Sequence, residues 1–154
     1  MTYWDKKIIR DQLDSRFKNL RNLADSAIPE MGWIRIIREA LGMSTKQLGK
    51  RVGLSQPRIS RLEMAEADGD LKLSSLKKIA EGLNMKFVYG FVPEEGLEKM
   101  VQKQARKIAI KRMTKVNHTM RLEEQELSNN EKMKALDDLT QKILIKKPKD
   151  FWDQ

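Results

Sequence analysis

The chain has 154 residues, 34 % of them charged and 6 % aromatic, which suits one compact helix-rich domain with additional elements. It contains no cysteine, has no apolar run near the about 18 residues of a membrane helix, and begins with a charged segment unlike a signal peptide. These features exclude disulfides and thiolate metal sites, and we expect a cytoplasmic protein whose net charge of +9 indicates a polyanionic partner.

The first predicted element is an amphipathic helix over residues 3–25. Its apolar residues recur at helical spacing, at Ile9, Leu13, Phe17, Leu20 and Ala24. A linker interrupted by Pro29 and Gly32 follows, so we assign residues 3–32 to an N-terminal helix and linker. We expect this helix to pack on the core or on a second subunit.

Residues 33–84 are predicted to form the core domain. Its first helix is expected to bury Trp33, and its last, over residues 76–83, to be capped by Ser74 or Ser75. Between them lie two short helices joined by a glycine turn at Gly53, and Pro57 occupies the first turn of the second of these. A helix, a glycine turn and a helix within about 20 residues predict a helix-turn-helix.

The segment from Trp33 to Glu63 resembles the DNA-binding domains of phage repressor and Cro proteins, the xenobiotic-response-element (XRE) class. Positions that pack the second helix of that class on the third are filled here by Leu48, Gly49, Val52, Ile59 and Leu62. The resemblance implies a lambda-repressor-like helical bundle that binds double-stranded DNA. A small helical bundle without DNA binding is the alternative.

The start of the third helix is expected to enter the major groove. Gln56 can pair with an adenine, Arg58 and Arg61 can pair with a guanine, and Pro57 can contact a thymine methyl, with Ser60 at the edge. For Arg61, a contact with the DNA backbone is also open.

A second group of polar and basic residues is expected to hold DNA phosphates, through helix N-termini, hydroxyls and positive charge. Its members are Ser44, Thr45, Lys46, Lys50, Arg51 and Ser55. For Lys50 and Arg51, solvation alone is equally open.

Residues 85–93 change to a short aromatic and β-branched pattern that predicts a β-strand. A single strand cannot satisfy its own backbone N–H and C=O groups, so we expect antiparallel pairing with a second copy in a homodimer. The predicted dimerisation residues are Phe87, Val88, Tyr89 and Phe91. The alternative is a buried extended segment lying on the subunit's own helices.

Residues 94–154 are predicted to form a helical extension, with a basic helix over 94–121, an acidic hinge over 122–131 and a last amphipathic helix. The cations of the first helix are Lys99, Lys103, Arg106, Lys107, Lys111, Arg112, Lys115 and Arg121. Three roles are open for these cations: a solvated face, contacts with DNA phosphates, or binding of an acidic partner. His118 has no ligand-spaced companions, and we find no catalytic, metal or cofactor motif, so we do not expect an enzyme.

The predicted fold class is therefore mainly α: a lambda-repressor-like bundle with one intersubunit strand and additional N- and C-terminal helices. Over about residues 5–153 the chain also resembles the "mobile mystery protein A" family of bacterial mobile elements. The residues that carry this likeness are GWIR at 32–35, REALGMS at 38–44, SQPR at 55–58, FVYGFVP at 87–93 and NHTM at 117–120. It implies a genetically linked partner with a Fic-type fold.

These observations lead to the hypothesis of a homodimeric, sequence-specific repressor of its own operon that binds a palindromic operator in the bacterial nucleoid. One alternative is an antitoxin-like interaction protein that binds a Fic-type partner, with DNA binding secondary. Another is an architectural DNA-binding protein without base preference.

Overall fold

A computed structural model describes residues 1–122 and 128–153. The helices of this part of the chain are α1 (Tyr3–Lys18), α2 (Arg21–Ala24), α3 (Trp33–Ala40), α4 (Thr45–Val52), α5 (Gln56–Ala67), α6 (Leu73–Gly82), α7 (Leu97–Leu122) and α8 (Asn129–Lys146). They divide into two compact units, one of residues 22–90 and the other of residues 1–21 with 91–154. In the described ranges, no helix is both long and apolar enough to cross a membrane.

The unit of residues 22–90 is held by a core to which α3, α4, α5 and α6 all contribute. The buried residues of this core are Ile34, Leu48, Val52, Ile59, Leu62, Ile79 and Leu83. It therefore contains all four of the large apolar side chains that the XRE resemblance assigned to helix packing. The predicted helical bundle is confirmed.

The first core helix turns a different side inward from the one expected. Trp33 is 46 % exposed, whereas Ile34 and Arg38, one helical turn apart, are buried. The prediction that Trp33 anchors this helix in the core is therefore wrong. The apolar run around Trp33 did not reveal that a charged residue occupies the inner face.

The turns that delimit α4 and α5 follow the predicted local chemistry. Ser44 forms a capping box with Gln47, and the Ser55 hydroxyl accepts a hydrogen bond from the backbone N–H of Arg58. Gly53 has φ +69°, the left-handed conformation that ends α4. By contrast, α6 begins at Leu73 with Lys72 as N-cap, so the serine cap predicted at residues 74–75 is wrong: both serines lie within the helix.

Gly49 is a position where the chain has no room for a side chain. A Cβ built there would lie 2.5 Å from the backbone oxygen of Leu54 in the turn after α4. In an open helix Gly→Ala stabilises by about 1 kcal/mol. We expect Gly49→Ala instead to lower the free energy of unfolding by about 1–3 kcal/mol, because the turn must shift. Denaturant unfolding measures the sign, and a stabilised variant would contradict this packing.

The other unit is built on the pair α7 and α8. The buried residues of its apolar core are Val101, Ala105, Ile108, Ala109, Ile143, Leu144 and Phe151. At the start of α8, Ser128 forms a capping box with Glu131. Half of the predicted acidic hinge, residues 123–127, lies outside the described residues.

The N-terminal helix packs on α7 through polar side chains. Arg10 Nε donates to Glu98 Oε2 at 2.7 Å, and the Asp14 carboxylate accepts from the backbone N–H groups of Leu97 and Glu98 at 2.7 and 3.2 Å. Asp14 thus supplies the N-terminal cap of α7, and the helix begins at Leu97 rather than at residue 94. The predicted apolar stripe is packed only in part: Leu13, Phe17 and Leu20 are half-buried, whereas Ile9 is exposed and the helix breaks after Lys18.

The described residues contain no β-strand, so the strand predicted within 85–93 is not supported. Met85 donates its backbone N–H to Ala80, and no backbone hydrogen bond in the described part of the chain involves residues 86–92. A strand requires a neighbouring backbone with which to pair. The aromatic and β-branched pattern is present, but the part of the chain that the structure describes offers it no neighbouring strand.

Candidate DNA-binding surface

The helix α5 has one face in the core and one face in solvent. Ile59, Leu62 and Glu63 are buried, which fixes the rotation of the helix about its axis. The predicted base-reading residues Gln56, Pro57, Arg58 and Arg61 are all exposed. Ser60 is half-buried, and its hydroxyl donates to the backbone oxygen of Gln56 at 3.3 Å. Arg58 and Arg61 are three positions apart and therefore project from the same side of the helix.

The opposite face of α5 is attached to α3 by a buried ion pair. Arg38 Nε and Nη2 donate to the two carboxylate oxygens of Glu63 at 2.6 and 3.0 Å, and Nη1 donates to the backbone oxygen of Met43 at 2.9 Å. Arg38 is only 8 % exposed and Glu63 only 7 %. The hydrogen bonds that Arg38 donates to Glu63 hold the pKa of Arg38 above its ordinary value. Such a two-pronged contact fixes orientation as well as distance.

A second carboxylate of α5 contacts the start of α3. Glu66 lies three residues after Glu63 and accepts from the backbone N–H of Ile34 at 2.9 Å. This bond satisfies one of the donors that a helix N-terminus leaves unpaired. Both acids thus hold the inner face of α5, so that its outer face is presented in one orientation.

These inner-face contacts were missed in the sequence. In the sequence, Glu63 and Arg38 are only parts of the segments that carry the family resemblances. The available signal was a charged residue at helical spacing among apolar ones, at Arg38 after Ile34. That spacing could not identify the partner, because the two residues of the pair are 25 positions apart.

The residues predicted to hold phosphates lie on α4 and at the starts of α4 and α5. Ser44, Lys46, Lys50, Arg51 and Ser55 are exposed, and Thr45 is half-buried. The oxygens of both serine hydroxyls accept hydrogen bonds from their own helices, at 3.2 Å from Gln47 and 3.4 Å from Arg58. Each hydroxyl proton can still be donated to an anion. The arrangement therefore combines positive side chains with two helix N-termini.

The predicted dimerisation residues are mostly in solvent. Val88, Tyr89 and Phe91 are exposed, the last to 84 %, and Phe87 is half-buried with its ring stacked on that of Tyr89, the centroids 5.9 Å apart. The alternative of a buried extended segment is therefore wrong. Exposed aromatic residues without packing are typical of surfaces that associate with another molecule.

In the described residues, no three histidine, aspartate or glutamate side chains lie close enough to hold a metal ion. His118 is exposed on α7. The arrangement of α4, its turn and α5 is instead suited to enter a groove of DNA.

Comparison with known proteins agrees with this geometry. A family model described as helix-turn-helix matches residues 34–89, from the first turn of α3 to Tyr89. No curated protein and no solved structure matches the chain. The wider resemblance to the mobile-element family, and the Fic-type partner that it implies, stay predictions.

Proposed function

On the premise that residues 34–89 are a helix-turn-helix domain of the XRE and lambda-repressor type, we propose that this chain is a sequence-specific transcriptional regulator. It binds double-stranded DNA in the bacterial cytoplasm and represses its own operon. The observation that carries the proposal is the exposed face of α5, on which Arg58 and Arg61 project from one side. Side chains of this type and placement form bidentate hydrogen bonds with guanine in the major groove.

The contacts that fix the orientation of α5 support base reading rather than general attraction to the DNA phosphates. A base contact discriminates only when the side chains reach the groove in one register, whereas phosphate attraction tolerates many orientations. That register is fixed on the inner face of α5 by two contacts with α3: the buried pair of Arg38 with Glu63, and the hydrogen bond of Glu66. The exposed cations of α4, Lys46 and Lys50 one turn apart, then supply phosphate contacts.

The active form in this proposal is a homodimer that binds a palindromic operator. The exposed residues Val88, Tyr89 and Phe91 provide the contact between copies. Two helix-turn-helix units related by two-fold symmetry bind half-sites about one turn of DNA apart, roughly 34–36 Å. The operator should therefore be an inverted repeat.

The test of base reading is selection of bound sequences from random duplexes. The wild-type chain should enrich an inverted repeat. Arg58→Ala and Arg61→Ala should each lose preference at one base position per half-site, with a cost of about 1–3 kcal/mol, or roughly 5- to 150-fold, on the best sequence. Competition with scrambled duplex gives the specificity ratio of each variant.

A matched control is Lys78→Ala, which removes an exposed cation from α6 in the same unit. It should leave the selected sequence unchanged. If Arg58→Ala and Arg61→Ala weaken binding equally on all sequences, the two arginines are phosphate contacts. Equal affinity of the wild-type chain for selected and scrambled DNA would show an architectural protein instead.

A further inference from the structure

We propose that the exposed face of α7 is a second DNA-binding surface, one that contacts the phosphate backbone without reading bases. This inference rests on the proposed function only in taking DNA as the partner. It concerns a different unit of the chain from the helix-turn-helix. The contact it describes does not depend on which operator is bound.

The first observation is that α7 itself contributes only cations to its exposed face, two of which, Lys103 and Arg106, are paired with Glu95 and Asp137. Every exposed charged side chain that the structure describes on α7 is basic: Lys99, Lys103, Arg106, Lys107, Lys111, Arg112 and Lys115. Glu98, the one acid in the helix, is mostly buried and is paired with Arg10. Five of the lysines recur every four residues from Lys99 to Lys115, a rise of about 6 Å per step. Because each step also turns by about 40° around the helix axis, Lys107, Lys111 and Lys115 share one side of α7 over about 12 Å, the length of three to four base pairs at about 3.4 Å each.

The second observation is that neighbouring helices of the same unit do not share this pattern. The exposed charges of α8 mix Glu131, Asp137 and Asp138 with Lys134, Lys142 and Lys146. Exposed residues of α1 likewise include Asp5 and Asp11 beside Lys6 and Lys18. Solubility is served by mixed signs. The one-sided charge of α7 is therefore a property of that helix.

The third observation is where the net charge of the chain lies. Residues 22–90 contain eleven lysines and arginines and eight acidic residues, a net +3, whereas the remainder contains twenty and fourteen, a net +6. Two thirds of the net charge of +9 is thus outside the helix-turn-helix unit. A polyanion is attracted to both units, and the denser row of cations is on α7.

The chemistry of the face favours nucleic acid over an acidic protein. Protein interfaces have a desolvated core of apolar and aromatic anchors. The exposed side of α7 has no aromatic residue among those described, and its large apolar side chains, Met100, Ile110 and Val116, are separated along the helix. Protein–DNA interfaces are more polar and strongly positive. Cations at regular intervals along a rod match that description.

The test compares two triple variants of the full chain that remove equal charge. One is Lys107→Gln, Lys111→Gln and Lys115→Gln in α7, and the other is Lys134→Gln, Lys142→Gln and Lys146→Gln in α8. The probe is a 40-bp duplex of random sequence, titrated over a range of salt concentrations. Each phosphate contact contributes about 0.9 to the slope of log affinity against log salt. We expect the α7 variant to lower the slope by roughly 2–3 and the α8 variant to leave it within about 0.5 of wild type.

Placing both triple variants in an Arg58→Ala, Arg61→Ala background separates this inference from the proposed function. If the arginines prove not to read bases, the α7 variant should still lower the slope. Equal slopes for the α7 and α8 variants would overturn the inference. A wild-type slope for the α7 variant, with loss of binding to poly-L-glutamate, would also overturn it and assign the face to an acidic protein.

Discussion

Arg38→Ala should lower the free energy of unfolding of the helix-turn-helix unit by about 3–5 kcal/mol. The substitution leaves the Glu63 carboxylate buried without its guanidinium partner and removes the hydrogen bond to the Met43 carbonyl. A buried charge without a partner is far more costly than the net value of the pair. Glu63→Ala should lower the free energy of unfolding by a similar amount, because it leaves the Arg38 guanidinium buried without its partner.

The double variant Arg38→Met, Glu63→Leu distinguishes this explanation from a general loss of packing. It removes both charges and keeps much of the buried volume, so its cost should be well below the sum of the two single alanine variants. Arg35→Ala is the matched control on the same helix. Its pair with Glu39 is exposed, and exposed pairs contribute little.

Amide hydrogen exchange of α3 and α5 as a function of denaturant is the appropriate measurement. It reports the opening of this unit separately from the unit that contains α7 and α8. Arg38→Ala should raise exchange at both helices, and Arg35→Ala should not. If the two variants behave alike, the buried pair does not hold α5 in place. In that case the orientation of the base-reading face must be explained by the apolar core alone.

The turns of the helix-turn-helix could be predicted because their signals are local. The turn at Gly53 depends on the conformational freedom of that residue, and the start of α5 depends on Ser55 and Pro57 beside it. The capping box of Ser44 with Gln47 spans three residues. Since each signal lies within a few positions of the feature it specifies, the exposed face of α5 followed correctly from the sequence.

Features that join distant segments could not be predicted in the same way. Asp14 caps α7 from 83 positions away, so the pattern of α1 alone gave no reason to turn Asp14 inward and Ile9 outward. Arg38 likewise has a buried position that only its partner Glu63 explains. The strand prediction at residues 85–93 is a third case. Its composition is typical of a strand, but a strand forms only when its backbone N–H and C=O groups pair with those of a neighbouring strand.

Replacing the exposed aromatic residues of that segment should have the largest effect on DNA affinity. Two linked half-site contacts bind more tightly than one by about 10²–10⁴, since the second contact is effectively intramolecular. In our proposal the copies are joined through residues 87–91. Tyr89→Ser with Phe91→Ser should therefore yield monomers in sedimentation and reduce affinity for the selected inverted repeat by that factor. Affinity for a single half-site should be unchanged.

The fold of the single chain should tolerate this double variant, because both side chains are exposed and contribute little to either core. Trp152→Ser is the matched control, as it removes another exposed aromatic ring. A double variant that still dimerises would show that the interface lies elsewhere. A wild-type chain that binds one half-site as tightly as the inverted repeat would show that a dimer is not needed. The operator would then not have to be an inverted repeat.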